Sequence, residues 1–397
     1  MRGVGIVLFI AGLLALVIFV HSRTGVDLES LYRGRRWFEL RDAILHAGRF
    51  PTVYRAAVTF AFHDFSEAER LASNVVRSAS EPIDMIRARY ILADTYAQEE
   101  RYAAALAQLR AVNRDQDKSD IALYSAAVQF PRQLVITRRT SRVPWQADPN
   151  GHLIFPVTVN GRLAHYELDT GSSYCSISRT EADRLGLKTV DMPGFRGTDG
   201  SGLGFEAALA SADKVTVGGF EFEHVLFEVR ADNKELPPGV LGMHVILAFE
   251  TITWGRDGVL EIGAPTGPVN IREANLCFDG THLIARALFQ KAGIHVFLDS
   301  GASDIDFLPR FGSDFPAVAR AKSAVGRSRI TGVGGTVEEP VVFLPEIELD
   351  VGNASVRTNR AVLRSKDLNG WGYHAHAGSR FLQGATIDLG AMKFGYQ

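Results

Sequence analysis

The chain repeats itself without a gap. HLIFPVTVNGRLAHYELDTGSS begins at His152 and HLIARALFQKAGIHVFLDSGAS at His282, so aligned positions lie 130 residues apart. Each copy opens on His-Leu-Ile and ends with an acid, a hydroxyl residue and a glycine. The two loops read Leu168-Asp169-Thr170-Gly171-Ser172-Ser173 and Leu298-Asp299-Ser300-Gly301-Ala302-Ser303. Downstream, each copy also carries a hydrophobic-glycine segment leading into a strand, GVLGMHVILAFETITW from Gly239 and HAGSRFLQGATIDLG from His376. Two halves of similar length therefore offer the same unit twice.

Those halves read as β structure. Beyond about residue 150 the chain favours Gly, Val, Thr and Phe, in short alternating runs separated by turn signals. Asn160–Gly161 in the first copy favours a type I′ hairpin turn. KVTVGGFEFEHVLFEV (214–229) is a second hairpin candidate, with Gly-Gly at its turn. Residues 25–130 differ: they are rich in Ala, Leu, Arg and Glu and apolar at helical spacing. Within them HDFSEAERLASNVV (63–76) and EERYAAALAQLRAV (99–112) echo each other, Phe65 matching Tyr102 and Ala68 matching Ala105. With ARYILADTYAQ between them, these segments resemble tetratricopeptide repeats, whose period is about 34 residues. A generic helical bundle is the alternative. Either way the segment reads as an interaction or spacer module, with a protein partner as its expected contact. Residues 131–150, with Pro, Arg and Asn-Gly, read as a linker.

At the N-terminus, residues 3–20 are apolar or small without a charge. This run is just long enough to cross a hydrocarbon core of about 30 Å, which predicts an uncleaved signal anchor in the lipid bilayer. A cleaved signal peptide is the alternative. Arg2 favours an inside N-terminus against Arg23, Arg33, Arg35 and Arg36 beyond the span. The expected protein is therefore single-pass, with its body outside the cytoplasm, on the periplasmic side. The expected divisions are a membrane anchor (1–23), a helical domain (24–130), a linker (131–150) and two β lobes (151–266 and 267–397).

The paired loops resemble the two active-site loops of aspartic proteases, and their flanks are most similar to the bacterial retropepsin-like families. Two copies in one chain resemble the bilobal pepsin arrangement. The fold class expected is thus multidomain: a transmembrane helix, an all-α helical-repeat segment, then an all-β bilobal acid-protease fold of two retropepsin-like lobes. The resemblance implies a membrane-anchored aspartic endopeptidase that hydrolyses protein or peptide substrates with an activated water and no cofactor. In that chemistry Asp169 and Asp299 form the catalytic dyad, because two close carboxyls share one proton and divide the acid and base roles. Gly171 and Gly301 permit tight turns and close approach of the loops. Thr170 and Ser300 are implied as cross-lobe hydrogen-bond partners. Ser172 can hydrogen-bond its neighbouring carboxylate whereas its counterpart Ala302 cannot, which predicts that Asp169 ionises more readily than Asp299. Gly197, Thr198, Asp199 and Gly200 in one half, and Gly332, Val333, Gly334 and Gly335 in the other, are candidate flap tips. No Tyr lies between Tyr174 and Tyr373, so the flap tyrosine of pepsins has no counterpart.

Other readings compete with parts of this scheme. Each Asp-hydroxyl-Gly triplet taken singly is ordinary turn chemistry after a strand. A degenerate protease fold kept as a non-catalytic peptide-binding or scaffold protein is the rival function. His374 and His376 read as surface or internally satisfied residues and not as a metal site, and Asp304 and Asp306 as the wet face of a strand. Cys175 and Cys277 read as small buried residues, with one bridge left open for an exported domain. Lys and Arg (43) nearly balance Asp and Glu (45), which argues against a nucleic-acid footprint.

Overall fold

Seven helices lead the described part of the chain. The computed structural model describes residues 26–397 apart from 48, 150, 265–268, 322–323 and 360. The apolar run 3–20 lies outside the described residues; among them no helix is long and apolar enough to cross a membrane. The helices are α1 (Leu28–Arg33), α2 (Trp37–His46), α3 (Thr52–Ala61), α4 (Phe65–Ser78), α5 (Pro82–Gln98), α6 (Tyr102–Val112) and α7 (Lys118–Ala127). Their ends follow local chemistry. Asp64 caps α4 by accepting from the Glu67 N–H, Pro82 opens α5, and Asn113 ends α6 in the left-handed conformation. The echo seen in the sequence has a packing basis: Ala68 and Ala105 occupy matching places in α4 and α6, and neither is exposed at all.

The segment read as a linker is sewn into the β structure. It carries β1 (Leu134–Thr137), β2 (Ser141–Pro144) and β3 (Gln146–Ala147), which pair with three different strands further on. The first lobe then runs β4 (Leu153–Val159), β5 (Arg162–Leu168), β6 (Cys175–Ser178), helix α8 (Arg179–Leu185), β7 (Thr189–Asp191), β8 (Gly197–Thr198), β9 (Gly204–Phe205), β10 (Ala207–Val217), β11 (Phe220–Arg230), β12 (Gly239–Leu241) and the short α9 (Met243–Ile246). Strands β11, β6, β12, β5, β4 and β10 pair in that cyclic order and close a six-stranded barrel. Its interior is apolar: Phe155, Val157, Tyr166, Ile177, Val215 and Phe227 are each at most 2 % exposed. Asn160 (φ 47°) and Gly161 (φ 76°) both lie in the left-handed region, as a type I′ turn between β4 and β5 requires.

After β13 (Thr251–Trp254) and β14 (Val259–Ile262) the second lobe repeats the plan. It comprises β15 (Leu276–Asp279), β16 (His282–Phe289), β17 (Ala292–Leu298), β18 (Ile305–Phe307), α10 (Pro309–Asp314), α11 (Pro316–Arg320), β19 (Val325–Gly332), β20 (Gly335–Phe343), β21 (Ile347–Val351), β22 (Ala354–Thr358), β23 (Val362–Arg364), β24 (Ala375–Ala377) and α12 (Ser379–Leu382). These strands form an open sheet in the order β19-β20-β23-β18-β24-β17-β16-β21-β22, with β15 beside β16. The chain closes with β25 (Ala385–Asp388) and β26 (Lys393–Tyr396). A five-stranded sheet, β2-β14-β13-β25-β26, joins the lobes. At its centre the Thr253 and Thr386 hydroxyls hydrogen-bond at 2.8 Å. Cys175 and Cys277 are both buried and free, so the bridge left open by the sequence is not made.

The helical module packs on both lobes, and is more than a spacer. Glu100 meets His244 of the first lobe at 3.2 Å, and Glu39 meets His295 of the second at 3.2 Å. The buried Asp279 carboxylate accepts from Trp37 Nε1 (3.2 Å), Arg35 Nη1 (3.1 Å) and Tyr373 Oη (2.6 Å).

Candidate active site

Equivalent strands deliver Asp169 and Asp299. Strands β5 and β17 end in buried leucines, Leu168 and Leu298, and the next residue in each turns out of the sheet. The Asp169 N–H donates to Leu241 O at 3.0 Å and the Asp299 N–H to Ala377 O at 2.9 Å, so β12 and β24 hold the two loops alike. Across the lobes the Thr170 N–H donates to Ser300 Oγ and the Ser300 N–H to Thr170 Oγ1, both at 3.0 Å. Each hydroxyl passes its own proton on across the interface, Thr170 to Leu298 O (2.9 Å) and Ser300 to Leu168 O (2.6 Å). All four bonds are buried, with Thr170 0 % and Ser300 2 % exposed. The clamp therefore leaves little freedom for one loop to move without the other.

Glycine lets the carboxyls meet. A Cβ on Gly171 would fall 2.4 Å from the Asp299 carboxyl carbon, and one on Gly301 2.6 Å from that of Asp169. The Gly301 N–H donates to both acids, at 2.9 Å to Asp299 Oδ1 and 3.1 Å to Asp169 Oδ1. Gly171 N–H adds a 2.8 Å bond to Asp169 Oδ1, and the two carboxyl groups hydrogen-bond each other. So close a pair cannot carry two charges cheaply.

The charge is placed on the opposite acid from the one expected. Burial and then the Asp299 charge push Asp169 well above the usual carboxylate range. Burial acts on Asp299 too, but the His376 imidazole overrides it and draws Asp299 down to about 2. His376 Nε2 lies 2.5 Å from Asp299 Oδ2. Ser172, expected to favour ionised Asp169, donates to Tyr174 O at 2.7 Å and leaves the acid alone. Of the two readings of these histidines, surface or internally satisfied, the structure shows the second: His376 is 6 % and His374 3 % exposed, and both are hydrogen-bonded. The ring stacks on Phe297 at 5.2 Å and 14°. A signal for it stood in the sequence. Aligned on Gly242 and Gly378, His376 occupies the position held by Val240, an imidazole where the twin half has an aliphatic side chain.

The acids lie in a cleft of about 860 Å³ between the lobes. Residues 197–200 and 332–333 line it, and the two candidate tips touch. Asp199 accepts from the Gly334 N–H at 2.6 Å, and a Cβ on Gly332 would fall 2.3 Å from the Asp199 carboxyl carbon. Behind Asp169, burial pushes Glu167 up to about 7, opposed by His152 at 3.0 Å. Burial takes His282, the counterpart of His152, down to about 4. Ser119, Asp120 and Leu123 of α7 line the same cleft, and Ser119 is bonded to Arg196 at the base of the β8–β9 hairpin. Asp306 was read as a strand's wet face; it lines the cleft and bonds Arg364 at 2.8 Å.

Residues 155–245 match the aspartyl protease family model. They carry an aspartic protease-like domain that spans the barrel and the first aspartate loop. No curated protein matches the sequence.

Proposed function

We propose that the protein is a membrane-anchored aspartic endopeptidase, held to the bilayer by residues 3–20 with its catalytic lobes outside the cytoplasm. The observation that carries the catalytic reading is the shared Gly301 N–H, which puts a carboxyl oxygen from each half within 3.1 Å of one donor. The match over residues 155–245 supports the reading for the first half, and the repeat extends it to the second.

Asp299, ionised beside His376, takes a proton from the attacking water. Asp169, protonated, donates to the scissile carbonyl oxygen as it gains charge. Collapse of the tetrahedral intermediate breaks the C–N bond as the proton on Asp299 passes to the leaving amine and one gem-diol proton returns to Asp169. The β8–β9 and β19–β20 hairpins act as paired flaps that exclude water from the cleft, consistent with their contact through Asp199. The helical module, read as tetratricopeptide-like, contributes the α7 wall of the cleft and offers its outer face to a protein partner. The test is cleavage of a fluorogenic peptide mixture by the wild type and by Asp169→Asn and Asp299→Asn. Each substitution should lower kcat by about a thousandfold or more with the fold intact by circular dichroism. Variants that cleave like the wild type, or a wild type silent at every pH, would favour the non-catalytic binding protein instead.

A further inference from the structure

The pseudo-symmetry of the lobes exposes one buried cation that lacks its acid. Arg230, the last residue of β11, is 1 % exposed and lines the cleft. Its Nη2 donates to Pro237 O, but Nε and Nη1 are buried with no hydrogen-bond partner among the described residues. A guanidinium carries five N–H donors, and leaving part of it unpaired in a dry wall is costly.

Its twin shows what is missing. Strand β11 runs parallel to β6, pairing Glu228 with Ser176 and Arg230 with Ser178. Strand β23 runs parallel to β18 in the same way, pairing Val362 with Asp306, so Arg364 stands where Arg230 stands. Arg364 is also buried, and its Nε bonds Asp306 at 2.8 Å, with Glu339 3.6 Å away. The acid that serves Arg364 is at position 306, and in the first copy that position is Ser176. The acids near Arg230 are already engaged: Glu167 by His152 at 3.0 Å and Asp232 by the Thr180 N–H and hydroxyl. Glu228, on the same face, makes no bond to it, and its burial there disfavours a charge.

We infer that Arg230 is the base of a subsite that takes a carboxylate side chain of a bound peptide, so that this cleft selects Glu or Asp on its first-lobe side. The missing partner of a pair that the second lobe completes internally is supplied by the substrate. A planar carboxylate suits the fork geometry of the guanidinium, and the charge-assisted bonds it makes are the strong kind. Pro237, which accepts from Arg230, lies just before β12 and fixes the head of the side chain toward the cleft.

This inference rests on the endopeptidase reading, and the experiment separates the two. Full-length protein is assayed against peptide pairs that differ only by Glu or Gln, placed in turn at each position flanking the cleaved bond. One position should show at least a tenfold higher kcat/KM for Glu. In Arg230→Leu that ratio should fall to about one while the Gln peptide is still cleaved, and Arg230→Lys should retain part of it. Cleavage with no acidic preference at any position overturns the inference, and the wild-type comparison decides this even if a variant folds poorly. So does a preference that survives Arg230→Leu. If the wild type cleaves nothing, the protease reading fails alone or with it. Binding of the same labelled peptides then decides: an Arg230-dependent preference for Glu upholds the subsite, and equal binding of Glu and Gln peptides rejects it.

Discussion

Replacing His376 by valine tests how the acid pair is charged. Valine is the residue that the twin lobe carries at this position, Val240, so the strand pairing can accept it. The substitution removes a contact of 2.5 Å to Asp299 and leaves both acids in place. With His376 present Asp299 is held at about 2, against an ordinary Asp value of about 3.9. That gap corresponds to roughly 2–3 kcal/mol, shared among the groups that hold Asp299 down. Without the imidazole, burial raises Asp299 against only the Asp169 and Gly301 hydrogen bonds, which still favour its ionised form. The acid limb of kcat/KM, which reports formation of the singly charged pair, should therefore move up by about one pH unit or more. A fluorogenic peptide followed from about pH 2 to about pH 8 at fixed ionic strength reads this directly. The stability consequence has a definite sign. A folded value below the unfolded one stabilises above about pH 4, and that contribution drains away as pH falls toward 2. His376→Val should lose the imidazole's share of this contribution, so thermal melts of the two proteins should converge at low pH and separate at neutral pH. An acid limb that stays within about half a pH unit of wild type would refute the assignment of the charge to Asp299.

Ser300→Ala removes two buried cross-lobe bonds and should cost about 2–4 kcal/mol, read as a lower midpoint in urea unfolding. Asp199→Ala unties the two hairpin tips, and should raise KM several-fold with a smaller change in kcat, measured by steady-state cleavage. Asp279→Ala strips the acceptor shared by Arg35, Trp37 and Tyr373; a loss of about 3 kcal/mol in unfolding is expected, with faster limited proteolysis of the helical module.

The acids were legible in the sequence because a gap-free repeat fixes equivalence before any contact is known. The β4–β5 turn was legible for a local reason, since Asn and Gly accept positive φ. Its counterpart is formed by Gln290 (φ 51°) and Lys291 (φ 69°), residues with no such preference, and there the strand pairing of β16 with β17 imposes the turn. The mismatch of His376 with Val240 stood in the sequence but its role did not, because which face of a three-residue strand meets the dyad depends on pairing with both β17 and β18. The module's grip on the lobes was hidden as well. Glu39 meets His295 and Glu100 meets His244 across more than a hundred residues, and neither spacing carries a local signal. Strands β1 to β3 are too short to show alternation against the Pro and Arg around them.

The joining sheet has a consequence for timing. Its middle strands, β13 and β25, belong to different halves, and β26 at residues 393–396 lies almost a hundred residues beyond Asp299. A chain emerging from the ribosome presents the first barrel early, but neither a complete joining sheet nor the β24 strand that carries His376. Closing contacts this distant is slow, and domains made first fold first. The acid pair with its His376 partner is thus assembled late, after residues 375–396 have been made. If the protein cuts peptides, it stays inert beside its own unfinished sequence and gains activity in one late folding step.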